Sequence, residues 1–406
     1  MTHTENNTVI GDNSERSEDS SRLSRPLVFL IATASGLTVA SIYYAQPLLE
    51  AIHRTLNLSV THAGLIVTAS QLGYALGLVL LVPLGDLCER RNLVVLMTIG
   101  IAMSLAGIGF ASSVVMLLAL SVLAGALSVV AQVLVAFSAD LASSAERGRV
   151  VGTVMSGLLL GILLARTVAG ILAQIGGWRS VFWSASVLMI VMAGAMYRGL
   201  PVYAPNVGLG YWALLKSIPP LFREERVLRL RTVYGAIGFA IFSTLWTPLS
   251  FLLSKPPFSY PTAIIGLFGM AGVAGASAAS VAGWLADRGR ANFTTVISIV
   301  LIIVSWLPIW LGRHSTWLLV FGIVLLDFGA QALHITNQSQ IYRLRPAARS
   351  RLTASYMACF FAGGVVGSSL SSWIYATRGW TGVCALGVIF GMTALGVWTT
   401  VHDWTF

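Results

Sequence analysis

Gly85-Asp86-Leu87-Cys88-Glu89-Arg90-Arg91-Asn92 and Gly283-Trp284-Leu285-Ala286-Asp287-Arg288-Gly289-Arg290 are two versions of one loop, each placed where a long apolar run ends. Their first glycines stand 283 − 85 = 198 residues apart. Three more matches follow in order. Arg147 pairs with Arg349 (349 − 147 = 202), and the same offset relates Gly161 to Gly363 and Trp178 to Trp380. A single match is chance. Four in order, at nearly one offset, mark an internal duplication, which decides a fold before any single element does.

The solvent for which this duplicated unit is built follows from composition. The 406 residues are 56% hydrophobic and only 10% charged, whereas a soluble domain carries about 25% charge. Hydrocarbon is the medium that tolerates such a surface. Apolar runs of sufficient length fall at about 27–49, 62–84, 93–112, 114–139, 150–173, 180–199, 232–254, 261–284, 293–312, 316–341, 352–375 and 381–401. The expected fold is therefore an all-α membrane protein, twelve transmembrane helices in two six-helix pseudo-symmetric halves. Residues 1–26 are expected to be a disordered cytosolic tail. Residues 27–199 form the N-terminal half, 200–231 a cytosolic linker and 232–406 the C-terminal half. The linker carries Pro201, Pro205, Pro219 and Pro220 among five basic residues. Short amphipathic surface helices are the alternative for it.

Net charge is +10, but the basic residues sit in short clusters between apolar runs. That is how topology is encoded, not how a nucleic-acid face is built, so no nucleic acid is expected. The tail and one alternating set of loops hold 19 of the 25 Lys and Arg, the other set holds 5, and Arg166 remains inside a span. The asymmetry places both termini in the cytoplasm of a multi-pass protein, with the bacterial inner membrane the natural location. Cys88, Cys359 and Cys384 are scattered and make neither a metal site nor a disulfide framework. No metal and no cofactor are expected.

The second loop copy, with Gly283, Leu285, Ala286, Asp287 and Arg288, resembles the loop signature G-x-L-A-D-R-x-G-R of the major facilitator superfamily, and the resemblance covers everything after the tail. The first copy keeps Gly85, Leu87 and Arg90, with Glu89 in place of the family's Asp and Asn92 in place of its Gly. The run Tyr43-Tyr44-Ala45-Gln46-Pro47-Leu48-Leu49 is similar to a branch of the twelve-helix drug:proton antiporter group. Two departures stand out. Ser121 occupies roughly the place of that group's span-four arginine, and its span-five Gly-Pro pair is absent, with Arg166 nearby. The resemblance implies that spans two, five, eight and eleven form a seam between halves, and that spans one, four, seven and ten line a central cavity.

The residues themselves suggest roles. Gly85, Glu89, Arg90, Gly283, Asp287 and Arg288 form a candidate gating motif, since an acid and an arginine at a helix end can dock on a neighbouring terminus. Asp140 is placed to pair with Arg90. Plain positive-inside topology is the bland alternative. Gly73, Gly77, Gly152, Gly157, Gly161, Gly266, Gly269, Gly272, Gly275, Gly363, Gly364 and Gly367 enrich spans two, five, eight and eleven, where small residues allow close helix packing. Tyr43, Tyr44, Gln46, Gln132, Trp246, Gln331, His334, Asn337 and Gln338 are candidate substrate-cavity residues, or else interhelical glue, because polar groups in a membrane face protein or water.

Asp327 is the only acidic residue well inside a span, and Arg166 the only basic one. Both lie roughly 12–16 Å from the same face at 1.5 Å per residue. Burial penalises the charged carboxylate and a nearby guanidinium favours it, so a motion that changes their separation changes proton affinity. They are the candidate proton-coupling pair; a permanent ion pair that holds the halves in register is the alternative. Enzyme signatures such as a P-loop, H-E-x-x-H or a nucleophile elbow are missing from the sequence. The expected function is secondary active transport of a small organic solute by alternating access, a proton-coupled export by a monomer in the lipid bilayer. The alternatives are uptake by proton symport and, as a minor reading, a membrane-embedded enzyme or sensor.

Overall fold

An apolar run in hydrocarbon has no water for its peptide groups, so it must coil and satisfy them internally. The computed structural model describes residues 24–143, 146–204, 210–272, 278, 282–285, 288–344 and 349–401, and among these the regular structure is entirely helical. Asp287 of the gating motif, Gly275 and tail residues 1–23 lie outside the described residues.

The first expected span is not one straight rod. Helix α1 (Arg25–Ala40) gives way to a turn, a 3-10 segment at Gln46–Leu48 and then α2 (Leu49–Leu56). Pro47 has no N–H to donate to a continuing helix. Helix α3 (Val60–Leu80) is capped by Ser59, whose hydroxyl accepts from His62 N–H at 3.1 Å. There follow α4 (Arg90–Phe110), α5 (Val114–Leu127) and α6 (Val130–Leu141). Helix α7 (Arg147–Gly199) takes in two expected spans and turns at Gly177, whose φ of 75° and ψ of 167° suit glycine alone. Ser180 Oγ donates to Leu172 O across that turn at 3.2 Å.

The expected linker holds two short helices, α8 (Tyr211–Lys216) and α9 (Ile218–Glu224), and Tyr211 Oη donates to Leu80 O at 2.9 Å. Helix α10 begins earlier than expected and spans Arg226–Trp246. Arg226, Arg229 and Arg231 therefore belong to its first turns and not to a loop. Helices α11 (Leu249–Leu253), α12 (Thr262–Leu267), α13 (Ala291–Leu311) and α14 (Thr316–Tyr342) precede the last, α15 (Arg349–Val401). Like α7, α15 takes in two expected spans, turning at Gly379 with φ 64°. The two turns stand 379 − 177 = 202 residues apart, the offset of the sequence repeat.

Among the described residues, eight helical segments are long and apolar enough to cross a membrane, with Arg25–Ala40 and Thr262–Ala271 shorter apolar segments beside them. One apolar core collects residues between Ile31 and Leu200 and is joined by Phe239, Phe251 and Phe361. A second lies between Tyr234 and Ala394.

Helices α3 and α15 meet through a polar ladder: Thr68 and Ser368 hydroxyls lie 2.8 Å apart, Ser368 donates to Gln71 Oε1 at 3.2 Å, and Gln71 Nε2 donates to Ser243 at 3.0 Å. Helices α7 and α12 meet where side chains vanish. A Cβ on Gly266 would sit 2.5 Å from Arg166 O, and one on Gly170 2.6 Å from Thr262 O. The small residues serve several interfaces, however. Gly73 and Gly77 face α5, Gly157 faces α1, and Gly363 and Gly367 face α10. Side-chain volume, not membership of one seam, decides where glycine is used.

Candidate functional site

Arg166 on α7 is 3% exposed, and no carboxylate lies within 4.0 Å of it among the described residues. Its Nε donates to Gln46 Oε1 at 2.6 Å, a bond made possible because the chain breaks helix geometry around Pro47 and turns Gln46 inward. Its guanidinium carbon lies 4.1 Å from the centre of the Trp246 ring, 5.1 Å from Tyr43 and 5.4 Å from Phe242. Aromatic faces offer a desolvated cation partial compensation. Asp327 on α14 is 5% exposed and accepts from Trp246 Nε1 at 3.1 Å. The expected Arg166–Asp327 partnership is thus not an ion pair in this conformation. The indole of Trp246 touches both, its ring against the cation and its N–H on the anion.

Gln46, Arg166 and Trp246, with Pro47, Leu249, Ser250 and Ile265, line a gap with room for little more than a water molecule. Tyr44 is buried in the same core as Tyr43. From Trp246 a row of rings leads away from that gap. Phe242 lies 6.0 Å from Trp246, Phe239 stacks on Phe242 at 5.5 Å and on Phe360 at 4.2 Å, and Phe360 meets His334 at 4.5 Å. Phe361 and Tyr74 extend the row at 4.2 Å, and Gln132 donates to Tyr74 Oη at 3.2 Å. These phenylalanines carry no sequence signal, because an apolar ring in a span reads the same whether it faces lipid or a cavity.

Of the polar residues of α14, His334 and Asn337 both reach the Tyr356 side chain. Gln331 is half-buried. His334 Nδ1 and Tyr356 Oη lie 2.9 Å apart, and Gln338 Nε2 donates to Met357 Sδ at 3.8 Å. Asn337 is 0% exposed and accepts from Arg231 Nη1 at 3.4 Å, while the same Nη1 donates to Thr295 at 2.8 Å. Asn337 is therefore a packing residue among α10, α13 and α14 and does not border open space. The linker expected over 200–231 takes in Arg231, but the early start of α10 buries it.

The loop between α3 and α4 is knitted by one arginine. Arg90 Nη1 donates to Asp140 Oδ2 at 2.6 Å, Nε to Gly85 O at 2.7 Å and Nη2 to Asp86 at 3.4 Å. Tyr203 and Phe137 pack on it at 5.2 and 5.9 Å. Glu89 caps α4, accepting from Arg91 N at 2.7 Å and Asn92 N at 2.9 Å, and also from Tyr203 N at 3.3 Å. Burial raises its proton affinity, but those three backbone donors and the Arg91 charge outweigh it and hold the Glu89 carboxyl below the usual glutamate range. In the second loop copy Arg288 lies 3.8 Å from the Trp284 ring, and a side chain at Gly283 would meet nothing within 4 Å among the described residues.

Comparison with known proteins agrees with this architecture. The sequence profile of the family described as Major Facilitator Superfamily matches residues 28–309 and, in a second match, 258–403. The uncharacterized transporter YgaY of Escherichia coli O157:H7 is 51% identical over 376 residues, covering 93% of this chain and 95% of the relative. A Streptomyces coelicolor protein named "Probable transporter SCO4007" is 36% identical over 91% of this chain and 86% of its own length. Among solved structures, a bacterial homologue of the human lysosomal transporter Spinster, in an inward-facing and occupied conformation, superposes with a TM-score of 0.76. It covers 95% of this chain and 98% of its own at 16% identity, a likeness of fold.

Proposed function

Because this chain belongs to the Major Facilitator Superfamily and is thus a multi-pass membrane transporter and not an enzyme, we propose that it is a secondary active transporter that moves a small organic solute by alternating access, with proton-coupled export as its direction. The direction and coupling rest on the resemblance of Tyr43–Leu49 to the drug:proton antiporter group. The layout proposed is twelve spans in two six-helix halves, joined by the 200–231 segment, with both termini in the cytoplasm of a monomer in the inner membrane. In support stand the common offset of the sequence repeat and of the Gly177 and Gly379 turns, the two apolar cores, and the uneven Lys and Arg count.

The observation that carries the proposal is the Arg166–Trp246–Asp327 series. A cation and an anion buried mid-bundle are costly, and here they are held by one aromatic side chain of a third helix. In this reading α10 moves relative to α7 and α14 between states. Moving Trp246 changes what the Asp327 carboxylate touches and so its proton affinity. The aromatic row supplies the solute's apolar contacts, with Tyr43, Tyr44, Gln46, Gln132, Gln331 and His334 nearby. The Arg90–Asp140 contact fastens the loop between α3 and α4 in one state. Uptake by proton symport is favoured by one detail: Arg166 keeps a buried Nη2 donor with no hydrogen-bond partner among the described residues, so an anionic solute and a proton would neutralise the site together. A substrate screen in sealed vesicles, with pH gradients imposed in either sense, tests both. Transport driven by neither gradient sinks proton coupling, and the sign of the effective gradient separates antiport from symport.

A further inference from the structure

Arg166 has more donors than its surroundings have acceptors. Its Nε is used by Gln46 Oε1, but its Nη2 is buried without a hydrogen-bond partner among the described residues. Gln46 Nε2 and Ser250 Oγ are also buried and, among the described residues, unpartnered. These three side chains are 3%, 2% and 1% exposed, and all three line the gap beside Trp246. Buried polar groups are nearly always satisfied, so three such atoms around one gap call for a common acceptor. Two of them can only donate, and the third can donate. The charge points the same way: a desolvated guanidinium is costly, and among the described residues no carboxylate lies within 4.0 Å of it.

We infer that the gap between Gln46, Arg166 and Ser250 is the head-group subsite for a carboxylate, so that the solute is an organic monoanion with an apolar or aromatic body. The inference rests on the transport reading of this cavity. One carboxylate oxygen accepts from Arg166 Nη2; the other accepts from Gln46 Nε2 and Ser250 Oγ. Charge-assisted donors arranged around two oxygens distinguish a carboxylate from a neutral carbonyl. Phe242, 5.4 Å from Arg166, is the first ring for the body, and Phe239 and Phe360 continue the row. A cationic solute meets Arg166 directly and is repelled. A lone water is the rival occupant, since the gap is nearly that small in this conformation; it satisfies donors but leaves the charge. The carboxylate enters when the gap widens.

The test uses the full-length protein in lipid nanodiscs and matched pairs of acid and amide: 2-naphthoate with 2-naphthamide, benzoate with benzamide, hexanoate with hexanamide, and hexylamine as a cation. Binding is read by calorimetry and by thermal shift. At least one acid is expected to bind at least about tenfold more tightly than its amide, as expected when a hydrogen bond to a charged group is lost. Arg166→Gln should erase that preference. Ser250→Ala and Gln46→Leu should each reduce it several-fold, and they carry the test if Arg166→Gln does not fold. Equal binding of acids and amides, no binding by any acid, or an acid preference untouched by Ser250→Ala and Gln46→Leu overturns the subsite. Flux of the same compounds in proteoliposomes separates the two claims. Acid binding without flux contradicts the transport reading and leaves the subsite standing, whereas flux of hexylamine or an amide without acid binding contradicts the subsite alone.

Discussion

Arg166 places its guanidinium carbon 4.1 Å from the centre of the Trp246 ring, closer than any other aromatic ring it contacts among the described residues. The same indole donates to Asp327 at 3.1 Å. One side chain on α10 thus touches the buried cation of α7 and the buried anion of α14. Removing it in two ways should separate its functions. Trp246→Phe keeps a ring for Arg166 and removes the donor, which is expected to cost about 1.5–3 kcal/mol, the range for a hydrogen bond to a charged group. Trp246→Ala removes both and is expected to cost about 3–5 kcal/mol. Denaturant unfolding in detergent measures the difference; equal losses would contradict the dual contact.

Arg90 and Asp140 should behave as a pair in motion more than in stability. Asp140's side chain is 42% exposed, so the ion pair itself is worth about 1 kcal/mol or less. Arg90→Ala and Asp140→Asn are each expected to slow transport while leaving solute affinity intact, with little further loss in the double variant. Asp287→Asn should act likewise in the second loop copy. Weakened binding with normal transport rates would remove the gating role.

Glu89 makes the stability depend on pH. Its folded carboxyl titrates below its ordinary value of 4.5, so its contribution is fully present above that value and fades as pH falls through the lower folded one. Glu89→Gln is expected to lower stability by about 1 kcal/mol at neutral pH, the worth of a helix cap. The gap to the parent protein should close below pH 4.5. Thermal unfolding across pH 7 to 3.5 checks this; a gap that stays constant would show that the carboxylate's charge is irrelevant.

Close packing of α7 on α12 predicts a contrast between glycines. Gly266→Ala forces a Cβ to 2.5 Å from Arg166 O, backbone that cannot swing aside. It should destabilise by about 1–3 kcal/mol, the cost of overpacking, and disturb Arg166 as well. Gly194→Ala meets nothing within 4 Å and should be neutral or slightly stabilising. Comparable thermal stability of the two variants would contradict the packing.

The all-helical, apolar character of the fold was legible because apolar length is written locally in the chain. The turns at Gly177 and Gly379 were foreshadowed by Trp178 and Trp380, their neighbours in the repeat. The bend at Pro47 was less legible, since the apolar run from 27 to 49 continues through it without a break in length. Arg231 misled because an arginine near a span end reads as a loop residue, while its burial depends on Thr295 and Asn337 from other helices. Arg166 and Asp327 stood out by charge alone. That Trp246 touches both could not be read, since contact across three helices leaves no periodic trace in sequence. Phe239 and Phe360 stayed hidden for the same reason.

Orientation is tested by single cysteines in a cysteine-free background. Sites at Lys216 and Arg288 are expected to resist an impermeant reagent in intact cells, and a site at Lys255 to react. Labelling of the 216 site from outside would reverse the topology.

The central claim is that Asp327 carries the coupled proton, and Asp327→Asn in proteoliposomes addresses it most directly. Asn keeps an acceptor for Trp246 Nε1 but cannot ionise. Accumulation driven by an imposed pH gradient should be abolished, while solute exchange at zero gradient should continue near the parent rate. Gradient-driven accumulation that survives in Asp327→Asn would contradict the account, and loss of both exchange and folding would assign Asp327 a structural role instead.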